Sequence, residues 1–183
     1  LFAGGTTGNI TAWDPFKQTS QTRIFDRQPV DDLSGCMISP DGKYILSCAN
    51  GDIYRLTDFQ HISTNGYVVI DAPKIGNYWA PNSQRIATTP YYLSPSVWNP
   101  LTGGKTATFT EDSGPILGWS FDSQHIASRG RAGVIFIWDA TNGSELYRYT
   151  PHASATTSIA WSPNGRLIAS GGEQGTVEVW QAI

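Results

Sequence analysis

ATTSIAWSPNGRLIASGGEQGTVEVW, residues 155–180, decides the fold of this chain. In 157–162 and again in 176–180, apolar residues alternate with small or polar ones. That period of two lets a strand bury one face. Between the first two strands stands Ser162-Pro163-Asn164-Gly165, where Pro presets φ, Asn tolerates the left-handed region and Gly adopts it freely. Leu167 to Gly171 is a second apolar run, closed by Gly172-Glu173-Gln174-Gly175. Three strands in so short a stretch leave no room for crossover helices, so the pairing is predicted to be antiparallel.

The unit recurs back along the chain. Ile38, Trp79, Trp119 and Trp161 occupy one place in its first strand, at spacings of 41, 40 and 42. Trp13, Leu56, Trp98, Trp138 and Trp180 occupy one place in its third strand, at spacings of 43, 42, 40 and 42. A period of about 40 to 45 residues built of short strands is the signature of a propeller array.

Trp13-Asp14, Trp138-Asp139 and the phrases SPDGKYIL (39–46) and SPNGRLIASGG (162–172) resemble the WD-repeat (WD40) β-propeller family, in repeats of bacterial type. The resemblance covers essentially the whole chain, strongly in the last two repeats and weakly in the middle. His152 lies nine residues before Trp161, where this family places the His of a Gly-His pair, with Pro151 in place of the Gly. The family's loop Asp, which bonds that His, falls on Thr7, Asn50, Ala132 and Gln174, so the buried tetrad is only partly present. The resemblance implies a reduced version in the fifth repeat, with Ser170, His152, Trp180 and Gln174, and a structural role for the tryptophans at 13, 79, 98, 119, 138 and 161.

Taken in order, the chain reads as one WD-repeat portion with blades at 1–32, 33–72, 73–110, 111–150 and 151–183. Leu1 to Gly5 matches Ile168 to Gly172, so the first blade opens in its second strand and lacks the innermost one. The second blade is expected to run through CMISPDG, YILSCAN, IYRLTD and YVVIDA (67–72), with Leu56 in the Trp place. In the third, the stretch Thr88 to Pro95 replaces the glycine loop, and its two prolines should end pairing early. The fourth is complete and the fifth has three strands. The fold class is therefore all-β: a propeller of four-stranded antiparallel blades, the first and last incomplete, expected to be part of a larger ring. Open blade edges make a homodimer an expectation.

Composition fits a folded β domain: 183 residues, 39% hydrophobic, seven Trp and eight Tyr. Net charge is −3 from 12 basic and 15 acidic residues, without clusters of Lys and Arg, so no nucleic-acid partner is expected. There is no apolar run near ~18 residues, hence no membrane span in this stretch. Charged residues are 15% of the chain, below the usual ~25%, a lean towards an extracytoplasmic setting. Cys36 and Cys48 belong to neighbouring strands, where a bridge is feasible and two reduced core cysteines are the expectation.

No constellation carries catalysis. There is no G-x-S-x-G, and His61, His125 and His152 are scattered. The first is read in a connection, the second in the turn place of Arg166, the third in the family's structural slot. No Cys or His pair has metal spacing, and the glycine-rich stretches 4–8 and 171–175 join strands without opening a helix, so neither metal nor cofactor is expected. Asn9-Ile-Thr and Asn142-Gly-Ser match the glycosylation acceptor pattern.

What remains is surface. The resemblance implies a partner-binding face of loops around the central opening, mapped here to Arg27, Asp31, Asp32, Tyr91, Tyr92, Glu111, Asp112, Arg129, Arg131 and Glu173. Aromatic and Arg residues are the types enriched in hot spots, and paired tyrosines in a Pro-bounded loop are not needed for folding. The expected function is a non-catalytic protein or peptide interaction module or sensory scaffold, the C-terminal region of a larger, kinase-linked signalling protein. The alternatives are the accessory propeller of a hydrolase whose catalytic part lies elsewhere, and a purely structural subunit. One consequence concerns stability: Trp161→Ala should cost about 3 to 5 kcal/mol by denaturant unfolding, and near-wild-type stability would mean the strand is misplaced.

Overall fold

The computed structural model describes residues 2–4, 9–14, 16, 19–24, 36–47, 51–64, 79–89, 94–109, 114–150 and 155–182. They form five antiparallel sheets in which each strand pairs with the next in the chain. The first holds β1 (Phe2–Gly4), β2 (Asn9–Asp14) and β3 (Thr19–Ile24). The second holds β4 (Cys36–Ile38), β5 (Tyr44–Ser47), β6 (Asp52–Arg55) and β7 (His61–Thr64). The third holds β8 (Ile86–Thr88), β9 (Ser96–Trp98) and β10 (Lys105–Thr108). The fourth holds β11 (Ile116–Trp119), β12 (His125–Arg129), β13 (Ile135–Asp139) and β14 (Glu145–Tyr149). The fifth holds β15 (Thr156–Trp161), β16 (Leu167–Gly172) and β17 (Val177–Gln181).

The all-β, propeller-type reading stands, and four of its details change. The fourth strand of the second sheet is His61–Thr64, earlier than the expected 67–72, which lies outside the described residues. His61 therefore opens a strand. The Trp place of that sheet is held by Tyr54, not Leu56. Tyr54 pairs with Ile45 as Trp138 pairs with Ile126 and Trp180 with Ile168, whereas the Leu56 N–H reaches the Lys43 carbonyl as Ala140 and Ala182 do in their sheets. The ruler slipped because Ile38 to Tyr54 spans 16 residues where Trp119 to Trp138 spans 19. In the third sheet, the first strand is reduced among the described residues to one bridge, Trp79 with Ile86. His125 is the first residue of β12, in register with Leu167 and not Arg166.

The turns between first and second strands share one architecture. In Ser39–Gly42, Ser120–Ser123 and Ser162–Gly165 the opening Ser hydroxyl donates to the Asp or Asn carbonyl-type oxygen two residues on, at 2.6, 2.5 and 2.8 Å. The same hydroxyl accepts the N–H of Tyr44, His125 and Leu167, at 3.0, 2.9 and 2.9 Å. In these three turns and in Ala80–Ser83, which opens on Ala, the fourth residue is left-handed, and in two of the four it is Ser, not Gly: Ser83 and Ser123 both have φ of 63°. A non-glycine residue pays for that region in backbone strain. Here an inter-sheet bond offsets it, because the Ser83 and Ser123 hydroxyls accept the N–H of Asp41 and Asn82 from the preceding sheet, at 3.0 and 3.1 Å.

The core lies between sheets. Leu46 and Ile53 of the second face Trp79 and Ile86 of the third. Ala87 and Val97 of the third face Trp119, Ile126 and Trp138 of the fourth. Ala127, Ile135 and Ile137 of the fourth face Trp161, Ile168, Trp180 and Ala182. Each isoleucine so enclosed contributes roughly 1.5 to 3 kcal/mol. Fourth strands add aromatic cover: Phe109 stacks on Trp138 at 5.1 Å between centroids, and Tyr149 lies 4.4 Å from Trp180. Ser83→Ala should destabilise by about 1 to 2 kcal/mol, having lost the inter-sheet acceptor while keeping the strain, and Ser83→Gly by less. A glycine variant less stable than the alanine variant in thermal melts would refute that account of the turn.

Candidate interaction surface

The strand meander places connections from second to third strands at one end of each sheet and the Ser-initiated turns at the other. At the first end, Arg129 closes β12 and Arg131 opens a one-turn 3₁₀ segment, Arg131–Gly133, in which Ala132 is left-handed at φ 53°. The Arg129 Nη1 donates to the Thr156 carbonyl at 3.3 Å, and the Thr156 hydroxyl donates to the Gly133 carbonyl at 3.0 Å. The exposed Glu173, in the β16–β17 turn, donates its N–H to the Ala155 carbonyl at 3.2 Å. The start of β15 thus ties the ends of the fourth and fifth sheets together and gathers Arg129, the Arg131 segment and Glu173 at one place. Arg129 is partly committed to that tie. Arg27, Asp31, Asp32, Tyr91, Tyr92, Glu111, Asp112 and His152 lie outside the described residues, as does Cys48.

Among the residues of the implied tetrad, Trp180 donates its indole N–H to Ser170 at 3.3 Å, and both are buried. The same bond joins Trp138 to Ser128 and Trp98 to Thr88, each at 2.8 Å, always ten residues apart. The pairing is a general brace between second and third strands, present in sheets where the His and Asp places hold other residues. The indole N–H of Trp79 reaches across to the Met37 carbonyl at 3.3 Å.

Sequence reasoning missed three inter-sheet or intra-sheet groups. His125 stacks on Trp161 of the next sheet, 6.4 Å between centroids, while its Nδ1 lies 3.7 Å from Asp122. Arg85 sits over Trp119 at 5.9 Å and donates to the Ser123 carbonyl at 2.8 Å. These two and Tyr44, which packs against the cluster holding Trp79, share one register place. The signal for them was the residue five after each turn-opening Ser or Ala, a place whose chemistry varies from copy to copy. The third group is on the second sheet. His61 Nε2 lies 3.3 Å from Asp52 Oδ1 and 3.2 Å from the Thr64 hydroxyl, which itself donates to Asp52 at 2.5 Å. A nucleophilic relay needs the acid on one ring nitrogen and the hydroxyl on the other. Both fall on Nε2 here, which makes the group a brace between β6 and β7. Among the described residues no three His, Cys, Asp or Glu converge, and no helix is long and apolar enough to cross a membrane.

A family model for the WD domain, G-beta repeat, matches residues 143–181. A chain in the crystal structure of a mitotic checkpoint complex is similar in fold, with a TM-score of 0.72 and 20% identity, over 98% of this chain and 56% of that one. This chain therefore spans just over half the length of that structural relative. A comparison with curated proteins gives no match. Fold and repeat together define a β-propeller-type repeat protein. Residues 143–181 match the WD-repeat model, and the chain as a whole is similar in fold to a propeller. A WD40 propeller is consistent with a protein–protein interaction scaffold, and such domains are generally non-catalytic.

Asp41 and Asp122, in the turns between first and second strands, and Asp139, at the β13–β14 turn, have carboxyls lowered from the ordinary value. Asp139 is lowered by the Thr141 hydroxyl and N–H against a smaller effect of burial. For Asp122 and Asp41, burial works in the opposite direction and is outweighed by the hydroxyls of Ser120 and Ser39, the N–H groups of Gln124 and Lys43, and the nearby His125 and Lys43 charges. A carboxylate with a lowered folded value stabilises fully above its ordinary 3.8 and loses that contribution as pH falls below it. The triple variant D41N/D122N/D139N should therefore lose less stability than the wild type between about pH 5 and pH 3. An unchanged acid limb in circular dichroism melts would exclude these groups.

Proposed function

We propose that this chain is a non-catalytic scaffold that binds a protein or peptide at the second-to-third-strand end of its sheets, with the Arg131 segment and Glu173 as its contact points. The convergence of Arg129, Gly133 and Glu173 on Ala155–Thr156 carries this reading: it fixes two charged loops of adjacent sheets side by side on a braced backbone. A preorganised pair of loops loses little freedom when a partner binds, and arginine forks favour carboxylates. Tyr91, Tyr92, Glu111, Asp112, Arg27, Asp31 and Asp32 belong to the same surface on the family's loop pattern. Residues 1–183 act as a single propeller portion, and the regularity of phrases such as SPNGRLIASGG supports a place at the C-terminal side of a larger signalling protein of the kinase-linked kind.

The test is positional. A photo-crosslinker at 131 or 173 should trap the protein that affinity purification enriches, and one at Leu101, exposed in the β9–β10 turn at the other end, should not. Tyr91→Ser with Tyr92→Ser should leave the melting temperature nearly unchanged and reduce recovery of that partner several-fold. Trapping from 101 alone would place the binding surface at the opposite end.

A further inference from the structure

Among the described residues, the second–third and third–fourth contacts between sheets are tied at their turn ends by hydrogen bonds, and the fourth–fifth contact is not. The Ser83 hydroxyl accepts the Asp41 N–H, and the Ser123 hydroxyl the Asn82 N–H. The same place in the fifth sheet is Gly165, which closes its turn on Ser162 as Ser83 and Ser123 close theirs on Ala80 and Ser120. It has no hydroxyl to offer Asp122. A second bond is missing as well. Trp79 donates its indole N–H to the carbonyl of Met37, the residue before Ile38. The residue before Trp119 is Gly118, and Trp161 packs beside it: a Cβ on Gly118 would lie 3.9 Å from Trp161 Cδ1. Yet the indole N–H of Trp161, a residue only 9% exposed, has no partner. A buried donor left unanswered weakens the contact that buries it. His125 stacks on Trp161 at this end, whereas Arg85 supplements its ring contact with a bond to the Ser123 carbonyl.

The opposite end of the fourth–fifth contact is held. Arg129 donates to the Thr156 carbonyl, the Thr156 hydroxyl donates to the Gly133 carbonyl, and the Tyr149 hydroxyl lies 3.5 Å from Glu178 Oε2. We infer that the fourth and fifth sheets form a hinged pair, which parts at the turn end, between Asp122 and Gly165, while pivoting about Thr156. Local opening follows the least-braced contact in a fold, and this contact is braced at one end alone. The pivot lies beside the Arg131 segment and Glu173. Opening therefore changes the angle between those two loops without breaking the bonds that hold each of them.

Hydrogen exchange of the indole N–H groups, read by NMR on the full chain, tests the hinge. Trp161 should exchange about tenfold faster than Trp79, the ratio that one or two lost bonds produce. With intrinsic rates divided out, it should also exchange faster than the amide of Ala169, which is paired on both sides within the same sheet. Gly165→Ser should slow Trp161 several-fold. Serine holds this turn place at φ of 63° in two other sheets, Gly165 stands at 71°, and a Cβ there meets nothing within 4 Å. Gly165→Ala, with the same backbone demand and no hydroxyl, should not slow it. Exchange of Trp161 no faster than that of Trp79 overturns the inference, and this wild-type comparison decides even where a variant fails to fold. So does equal exchange of Trp161 and Ala169, the result expected if the fifth sheet unfolds as a unit. So does a folded serine variant that exchanges no more slowly than the alanine variant, the result expected if turn stiffness alone sets the rate.

Discussion

The fold depends on the burial of one sheet's small and aliphatic face beneath the tryptophans of the next. A single three- or four-stranded sheet has too little thickness to enclose its own apolar residues, so repeat units gain their core from neighbours. The contrast within the chain makes this visible. Ile135 and Ile137 are fully enclosed because β15–β17 lies over them, while Val177 and Val179, in the same register one sheet later, face solvent. Stability is thus a property of successive pairs of sheets, and the indole-to-hydroxyl brace within each sheet holds the tryptophans in the orientation the pairing needs.

The Ser-initiated turns serve the same end. Their Ser and Asp or Asn side chains close the turn locally, which fixes the angle at which second strands leave first strands. Where Ser replaces Gly at the left-handed position, its hydroxyl reaches back to the preceding sheet. Local conformational strain is exchanged there for an inter-sheet bond. The cations and aromatics five residues after the turn opening, Tyr44, Arg85 and His125, make the second contact of the same kind.

Among the described residues, the interior is taken up by packing, and several hydroxyl and imidazole groups make bracing contacts. His61, Asp52 and Thr64 illustrate this: residue types familiar from relays are arranged so that both contacts of the imidazole fall on one nitrogen. Arg129 contributes to the loop surface while anchoring the start of β15, so a variant there would disturb shape and charge together. Arg131 and Glu173 lie on loops whose backbone is already held.

The repeat, its antiparallel order and the first-strand places of Ile38, Trp79, Trp119 and Trp161 were legible in the sequence, because strand alternation, Ser-Pro-Asp/Asn-Gly turns and Trp spacing are local signals. The place of Tyr54 was not, since a shorter connection moved it off the period and only ladder register identifies it. Nor were the partners of Arg85 and His125, which stand about 35 residues away on another sheet. Of the surface candidates, sequence supplied residue types and an end of the sheet by analogy. Alternation and turn chemistry by themselves thus determined which residues form strands and where they fold back. Which faces meet and which hydroxyl answers which N–H were decided by tertiary packing, because those contacts join residues a full repeat apart and depend on the angle between sheets.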